Sequence, residues 1–215
     1  MSKHLYDGFI VPGCILIPIF FGFYNYRFLN AALKIMLAFL IFSGVVNSVA
    51  TAMAFNHIHN IFVLHMYTIF EFAFISWFYK VQFKGKSNII IPVIAVLFAA
   101  LCVINSVFFQ NYIEYNTYTR SLSAVLISGY SIMYFVRQLQ NDSDIPWGKV
   151  ALNWINTAIL LFYSCSLVIF IFSNYLLKAD KKTYTIIWNI YLAILLIEYV
   201  LFGIGFYKCK KQQTI

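Results

Sequence analysis

Charge is what this 215-residue sequence has least of: charged residues make up 10% of it, with seven Asp and Glu against fifteen Lys and Arg. A soluble domain with 62% hydrophobic residues and so few charges could not cover its own apolar surface. Cysteine is also scarce. Cys14, Cys102, Cys165 and Cys209 form no C-x-x-C pair, which argues against a zinc ribbon or a dithiol redox motif. The four histidines are too few for the histidine boxes of a membrane di-iron hydroxylase. No G-x-S-x-G, H-E-x-x-H or Gly-rich phosphate loop occurs. Asp7, Asp142, Asp144 and Asp180 all fall in termini or loops, so no aspartate pair is available inside a span. The last span has no lysine before Lys208, which disfavours a retinal Schiff base. The formal charge of +8 sits in short strings such as KKTY and KCKKQQ beside apolar runs, a placement that suits membrane topology and not nucleic acid.

Long apolar runs are what remains, and mean hydropathy is +0.81. A helix needs roughly 20 mostly apolar residues to cross the hydrocarbon core. Seven windows qualify, at approximately 5–26, 31–55, 58–82, 88–109, 117–137, 151–177 and 184–207. The expected fold class is therefore all-α: one polytopic membrane domain over 1–215, a bundle of seven transmembrane helices. The first window is the weakest, because Pro12 and Pro18 interrupt it, and it is expected to stay as a span and not be cleaved as a signal. The connector at 138–149 holds Asp142, Asp144 and Pro146 and reads as a surface loop.

Orientation follows from Lys and Arg. With the N-terminus out and the C-terminus in, the inner side holds Arg27, Lys34, Lys80, Lys84, Lys86, Arg137, Lys149, Lys208, Lys210 and Lys211. The outer side holds Lys3, Arg120, Lys178, Lys181 and Lys182, so the positive-inside rule favours that arrangement, with 178–182 dissenting.

The third window, HIHNIFVLHMYTIFEFAFISWFYK (57–80), carries the chemistry. An ionisable group at mid-bilayer costs at least ~2.5–3.5 kcal/mol unless it is paired or hydrated, so Glu71 marks either a site or a structural lock. At 100° per residue, Tyr67, Asn60, Glu71, His57, Thr68 and His65 share one side, within roughly 160°. Met66, Ile69, Ala73 and Trp77 lie opposite. The bland reading is interhelical hydrogen bonding worth ~0.6–2 kcal/mol per bond; the sharp one is a lined cavity for a ligand, ion or proton. Glu198 in the last window lies at a similar depth, and two adjacent carboxyls could share a proton. Arg120, at the start of the fifth window, could serve as a counter-ion, although a snorkelling interfacial arginine is the commoner case. His57 and His59 with His65 and Glu71 make at best a loose zinc site, and no cofactor is expected.

The pattern N-x4-H-x-Y-T-x2-E-F (Asn60 to Phe72) resembles uncharacterised small membrane proteins of Bacteroidetes. Pro18, Gly22 and Arg27, the run from Trp154 to Ser164 and the IWNIY of the seventh window resemble the same group. The resemblance implies a bacterial inner membrane and seven spans, and no activity. The leading expectation is an inner-membrane protein that binds a small ligand, ion or proton in an outward-facing polar cavity, as sensor or transport component. Its expected surroundings are the lipid bilayer and a protein partner or a second copy, with no nucleic acid. No long polar segment offers an output domain, so a sensor would have to signal through that partner. Two alternatives stay open: a pore-forming or membrane-remodelling effector, for example in bacterial defence, and an intramembrane lipid-modifying enzyme with His65 and Glu71 as acid and base.

Overall fold

The computed structural model describes residues 11–83, 85, 87–110, 114–140 and 145–212. These residues are helical with short connections, and no strand occurs among them. Seven helices follow in order: α1 (Leu16–Tyr24), α2 (Ala31–Phe55), α3 (Ile61–Gln82), α4 (Ser87–Ile104), α5 (Thr117–Gln140), α6 (Ala151–Leu176) and α7 (Lys181–Gln212). Six of them are long and apolar enough to cross a membrane; the apolar stretch Val11–Tyr24 is shorter. The expected windows at 31–55, 88–109, 117–137 and 151–177 agree closely with these bounds, and the last helix runs further at both ends.

Each departure has a local cause. In the first window a single turn, Val11–Gly13, is separated from α1 at Cys14 and Ile15. Pro18 has no N–H to offer the Cys14 carbonyl, which instead accepts from Ile17 N at 3.0 Å and tightens the chain there. Residues 5–10 of that window lie outside the described residues. The third helix starts at Ile61 and not at 58, because His57 adopts φ of 57° and ends the run from α2. At the start of α2 the Asn30 side chain accepts from Leu33 N at 2.9 Å. At the start of α7, Asp180 Oδ2 accepts from Lys182 N and Thr183 N, both at 3.1 Å. The Thr183 hydroxyl first, and then these backbone bonds, hold the Asp180 carboxyl below its ordinary value.

Packing runs α1 on α2, α2 on α3, α3 on α5, α5 on α6, α6 on α7 and α7 back on α1. Six helices thus close a ring, and α4 lies outside it against α3 and, less extensively, α5. Two close approaches draw the ring in. A Cβ on Gly22 would stand 2.6 Å from Leu37 Cδ1, and one on Gly205 would stand 2.7 Å from Ile155 Cδ1 and 3.2 Å from the Ala151 carbonyl. The outward faces are apolar: Ile89, Val96, Phe108, Val168 and Met66 are all exposed.

The two ends of the ring differ. One, the histidine end, carries the connections at 56–60, 114–116 and 177–180; the other, the basic end, carries those at 25–30 and 145–150. Near the basic end the interior is filled and hydrogen-bonded. Tyr79 of α3 donates to Asn156 Oδ1 of α6 at 2.7 Å, and Ser131 of α5 donates to the same oxygen at 2.9 Å. Asn156 Nδ2 returns a bond to the Ser131 carbonyl at 3.1 Å. Tyr134 donates to Asn153 Oδ1 at 3.0 Å, and Asn25 Nδ2 clasps the Phe206 carbonyl at 3.1 Å. A satisfied network of this kind rigidifies the core it occupies.

Candidate functional site

Glu71 stands on the inner face of α3, eight residues or about 12 Å from Tyr79 toward the histidine end. Its carboxylate is 2% exposed and forms an ion pair with Arg120 Nη1, reached from the first turn of α5. The Arg120 side chain is 13% exposed, and its guanidinium lies over the ring of Phe170 at 4.6 Å and that of Tyr67 at 5.5 Å. Arginine suits this position because its planar, weakly hydrated head can stack on aromatic faces while donating to a carboxylate. Tyr67 is itself fixed by a 3.0 Å bond with Ser43 and by Phe42, stacked at 6.2 Å.

The start of α5 is held in register by its neighbours. Asn116 Nδ2 donates to Thr68 Oγ1 at 2.8 Å, and Thr68 in turn donates to the Leu64 carbonyl at 2.9 Å. Tyr115 N donates to Asn174 Oδ1 and Asn174 Nδ2 to the Tyr115 carbonyl, each at 2.9 Å. His65 uses both ring nitrogens, Nδ1 with Ser106 Oγ and Nε2 with the Glu114 carbonyl, each at 2.9 Å. A carbonyl only accepts, so Nε2 carries a proton, and in the neutral ring Nδ1 accepts from Ser106. Ser106 lies in a π-helical turn, Asn105–Phe109, that ends α4. Gln110 closes it through a 2.8 Å bond to the Asn105 carbonyl, and its side-chain oxygen accepts from Asn105 Nδ2 at 3.0 Å. Such turns recur at functional positions, and this one brings Ser106 to His65.

Glu198 on α7 is the second buried carboxyl, 6% exposed. No hydrogen bond or ion pair reaches it among the described residues. Glu71, Arg120 and Tyr163 lie near enough to interact with its charge. The helices α3 and α7 do not pack side by side; the two carboxyls approach across the ring interior. Ser166, fully buried on the same face of α6 as Tyr163 and Phe170, has a hydroxyl without a hydrogen-bond partner.

Of the residues singled out in the sequence, Glu71, Arg120, Tyr67 and Glu198 converge in the interior. Thr68 and His65 face inward one and two turns nearer the histidine end and are saturated by structural bonds. Asn60 precedes α3 and donates to the Ala50 carbonyl at 2.9 Å. His57 is exposed in the turn before it. Helical spacing put both on the polar face, but neither is helical. No three His, Cys, Asp or Glu side chains converge as a metal site among the described residues. Phe170, Ser166 and the π-turn were not singled out; the spacing of Tyr163, Ser166 and Phe170 by three and four residues is the signal that places them on one face.

The class is thus an all-helical bundle with six helices able to cross a membrane and a buried ion pair in its interior. Compared with known proteins, the chain matches no family model, no curated protein and no solved structure.

Proposed function

We propose that this chain is a multi-pass membrane protein that binds a small ligand, ion or proton at the Glu71–Arg120–Glu198 cluster, reached from the histidine end, and acts as sensor or transport component. One observation carries the reading: the interior holds two buried carboxyls and one guanidinium, which pairs with Glu71 and leaves Glu198 without a counter-ion. A structural lock needs only one acid and one base, and a surplus acid in an apolar interior costs stability unless something else occupies it. By the Lys and Arg distribution the basic end faces the cytoplasm, so the histidine end faces outward, and the sequence resemblance favours a bacterial inner membrane.

The reading is tested by thermal unfolding of the protein in lipid nanodiscs. The panel holds sodium, potassium, primary amines and small organic anions, each from mildly acidic to mildly alkaline pH. A ligand at a hundred times its Kd stabilises by about 2.7 kcal/mol, a readily measured shift. At least one condition should stabilise the wild type and leave Glu198→Gln unmoved. Equal responses in the two proteins, or none in either, would refute the reading.

A further inference from the structure

The chemical identity of what Glu198 binds can be narrowed, resting on the reading just given. We propose that Glu198 is the loading position for one exchangeable proton and that the Glu71–Arg120 pair beside it is a fixed counter-pair that does not exchange. The step is Glu198–COO⁻ plus hydronium giving Glu198–COOH plus water, with no bond broken other than O–H.

Charge bookkeeping leads there. Arg120 is committed to Glu71 by an ion pair and held by two aromatic faces, Phe170 and Tyr67. A second anion at Glu198 would leave the buried interior one negative charge in excess. The groups around Glu198 supply no compensating cation. Tyr163 belongs to α6, Tyr191 and Tyr199 to α7 itself, and Glu71 and Arg120 face it from α3 and α5; Cys14, in the chain before α1, neighbours Tyr199. Neither a thiol nor a phenol becomes a cation, so among these groups the positive charge is Arg120's alone, and it is already paired. A proton satisfies this position with neither a cavity nor a ligand shell. A hard metal cation would need several oxygens converging on it, whereas Glu198 has no hydrogen-bonding neighbour among the described residues. The unpartnered Ser166 hydroxyl lies one turn from Tyr163 toward the histidine end, a buried polar group with a free hydrogen-bonding capacity on that side of the cluster. The opposite side is closed by the Tyr79–Asn156–Ser131 network.

Infrared difference spectroscopy of the full chain in nanodiscs, titrated with pH, reads this directly. Its only glutamates are Glu71, Glu114 and Glu198, so isotopically labelled glutamate gives an uncrowded spectrum. The wild type should show a protonated-carboxyl band at neutral pH that shifts on labelling and falls as pH rises. Glu198→Gln should lose the band, and Glu198→Asp should restore one, unlabelled, at a different frequency. If the Gln variant does not fold, the labelled wild type and the Asp variant still decide. No labelled band in the wild type, or a band that survives in Glu198→Gln, overturns the proposal. An ion or ligand response in thermal unfolding that Glu198→Gln loses, with no titrating band at Glu198, keeps the binding function and overturns the proton assignment.

Discussion

Replacing Arg120 with Gln is the sharpest perturbation the geometry offers. It leaves the Glu71 carboxylate, 2% exposed, without its counter-ion. Removing one member of a buried pair typically costs 3–5 kcal/mol in soluble proteins, because the other charge stays buried. Loss of the contacts to Phe170 and Tyr67 adds ~0.5–2 kcal/mol each. Two effects pull the other way. Arg120 retains 13% exposure, and membrane-embedded polar contacts measure lower than soluble ones, because the unfolded helices also find partners. We expect about 3 kcal/mol for Arg120→Gln and about 2 kcal/mol for Glu71→Gln, which strands the guanidinium but leaves it stacked. The double variant removes both charges and should cost only about 2 kcal/mol in all, giving a coupling of about 3 kcal/mol.

The assay is equilibrium unfolding in mixed micelles by a denaturing detergent, followed by helicity and completed as a double-mutant cycle. The coupling decides. An average interhelical hydrogen bond in a membrane protein is worth ~0.6 kcal/mol by the same kind of cycle. A coupling at or below that value would mean that Glu71 and Arg120 are not a locked ion pair, and the charge count on which the Glu198 proposal rests would fail with it.

Asn156→Leu should cost about 1–3 kcal/mol in the same assay, since it orphans the Tyr79 hydroxyl, while Tyr79→Phe should cost about 1 kcal/mol; equal effects would mean that the network is not shared as described. Gly205→Ala should destabilise by about 1–3 kcal/mol, because the added carbon meets the Ala151 backbone, whereas Gly129→Ala, with nothing within 4 Å, should stabilise by up to about 1 kcal/mol; a reversed order would refute the α6–α7 approach. His65→Ala should destabilise by about 1–3 kcal/mol through its two lost partners, but His57→Gly should stabilise slightly, because its backbone is left-handed; the contrast is read by thermal unfolding. Asp180 holds its proton more weakly folded than unfolded, so its contribution is present above the unfolded pKa and lost as pH falls through the folded one; Asp180→Asn should flatten that acid limb.

Helix existence was legible because the apolar windows are long and the connections short; α2 was bounded to the residue. Adjacency was not, since a linear pattern does not say which helix lies beside which. Even so, one element announced its place. Between Ile89 and Ile104 there is no charged or amide side chain, so α4 has nothing to contribute to a polar interior and lies outside the ring. Glu71 was legible as an anomaly for the opposite reason: a charge inside an apolar run must find a partner in space. Its partner was misweighed. Arg120 sits three residues into its helix, where an arginine ordinarily reaches outward to headgroups, and only the Asn116–Thr68 bond and the Phe170 face show that it reaches inward instead.

The consequence reaches beyond Arg120. Had it snorkelled, Glu71 and Glu198 would have been two equivalent acids competing for one proton. Because it pairs with Glu71, the two acids are made unequal by the ring itself: one is neutralised by a fixed cation, the other only by what arrives. The asymmetry does not depend on the two helices touching, since the ring closes through α1, α2, α5 and α6 and still brings both carboxyls to one interior. If Glu71→Gln frees Arg120 to pair with Glu198, the protonated-carboxyl band should vanish in that variant as well, although Glu198 is untouched. Persistence of the band would mean that Arg120 cannot reach across the ring, leaving Glu198 to be neutralised by its proton alone.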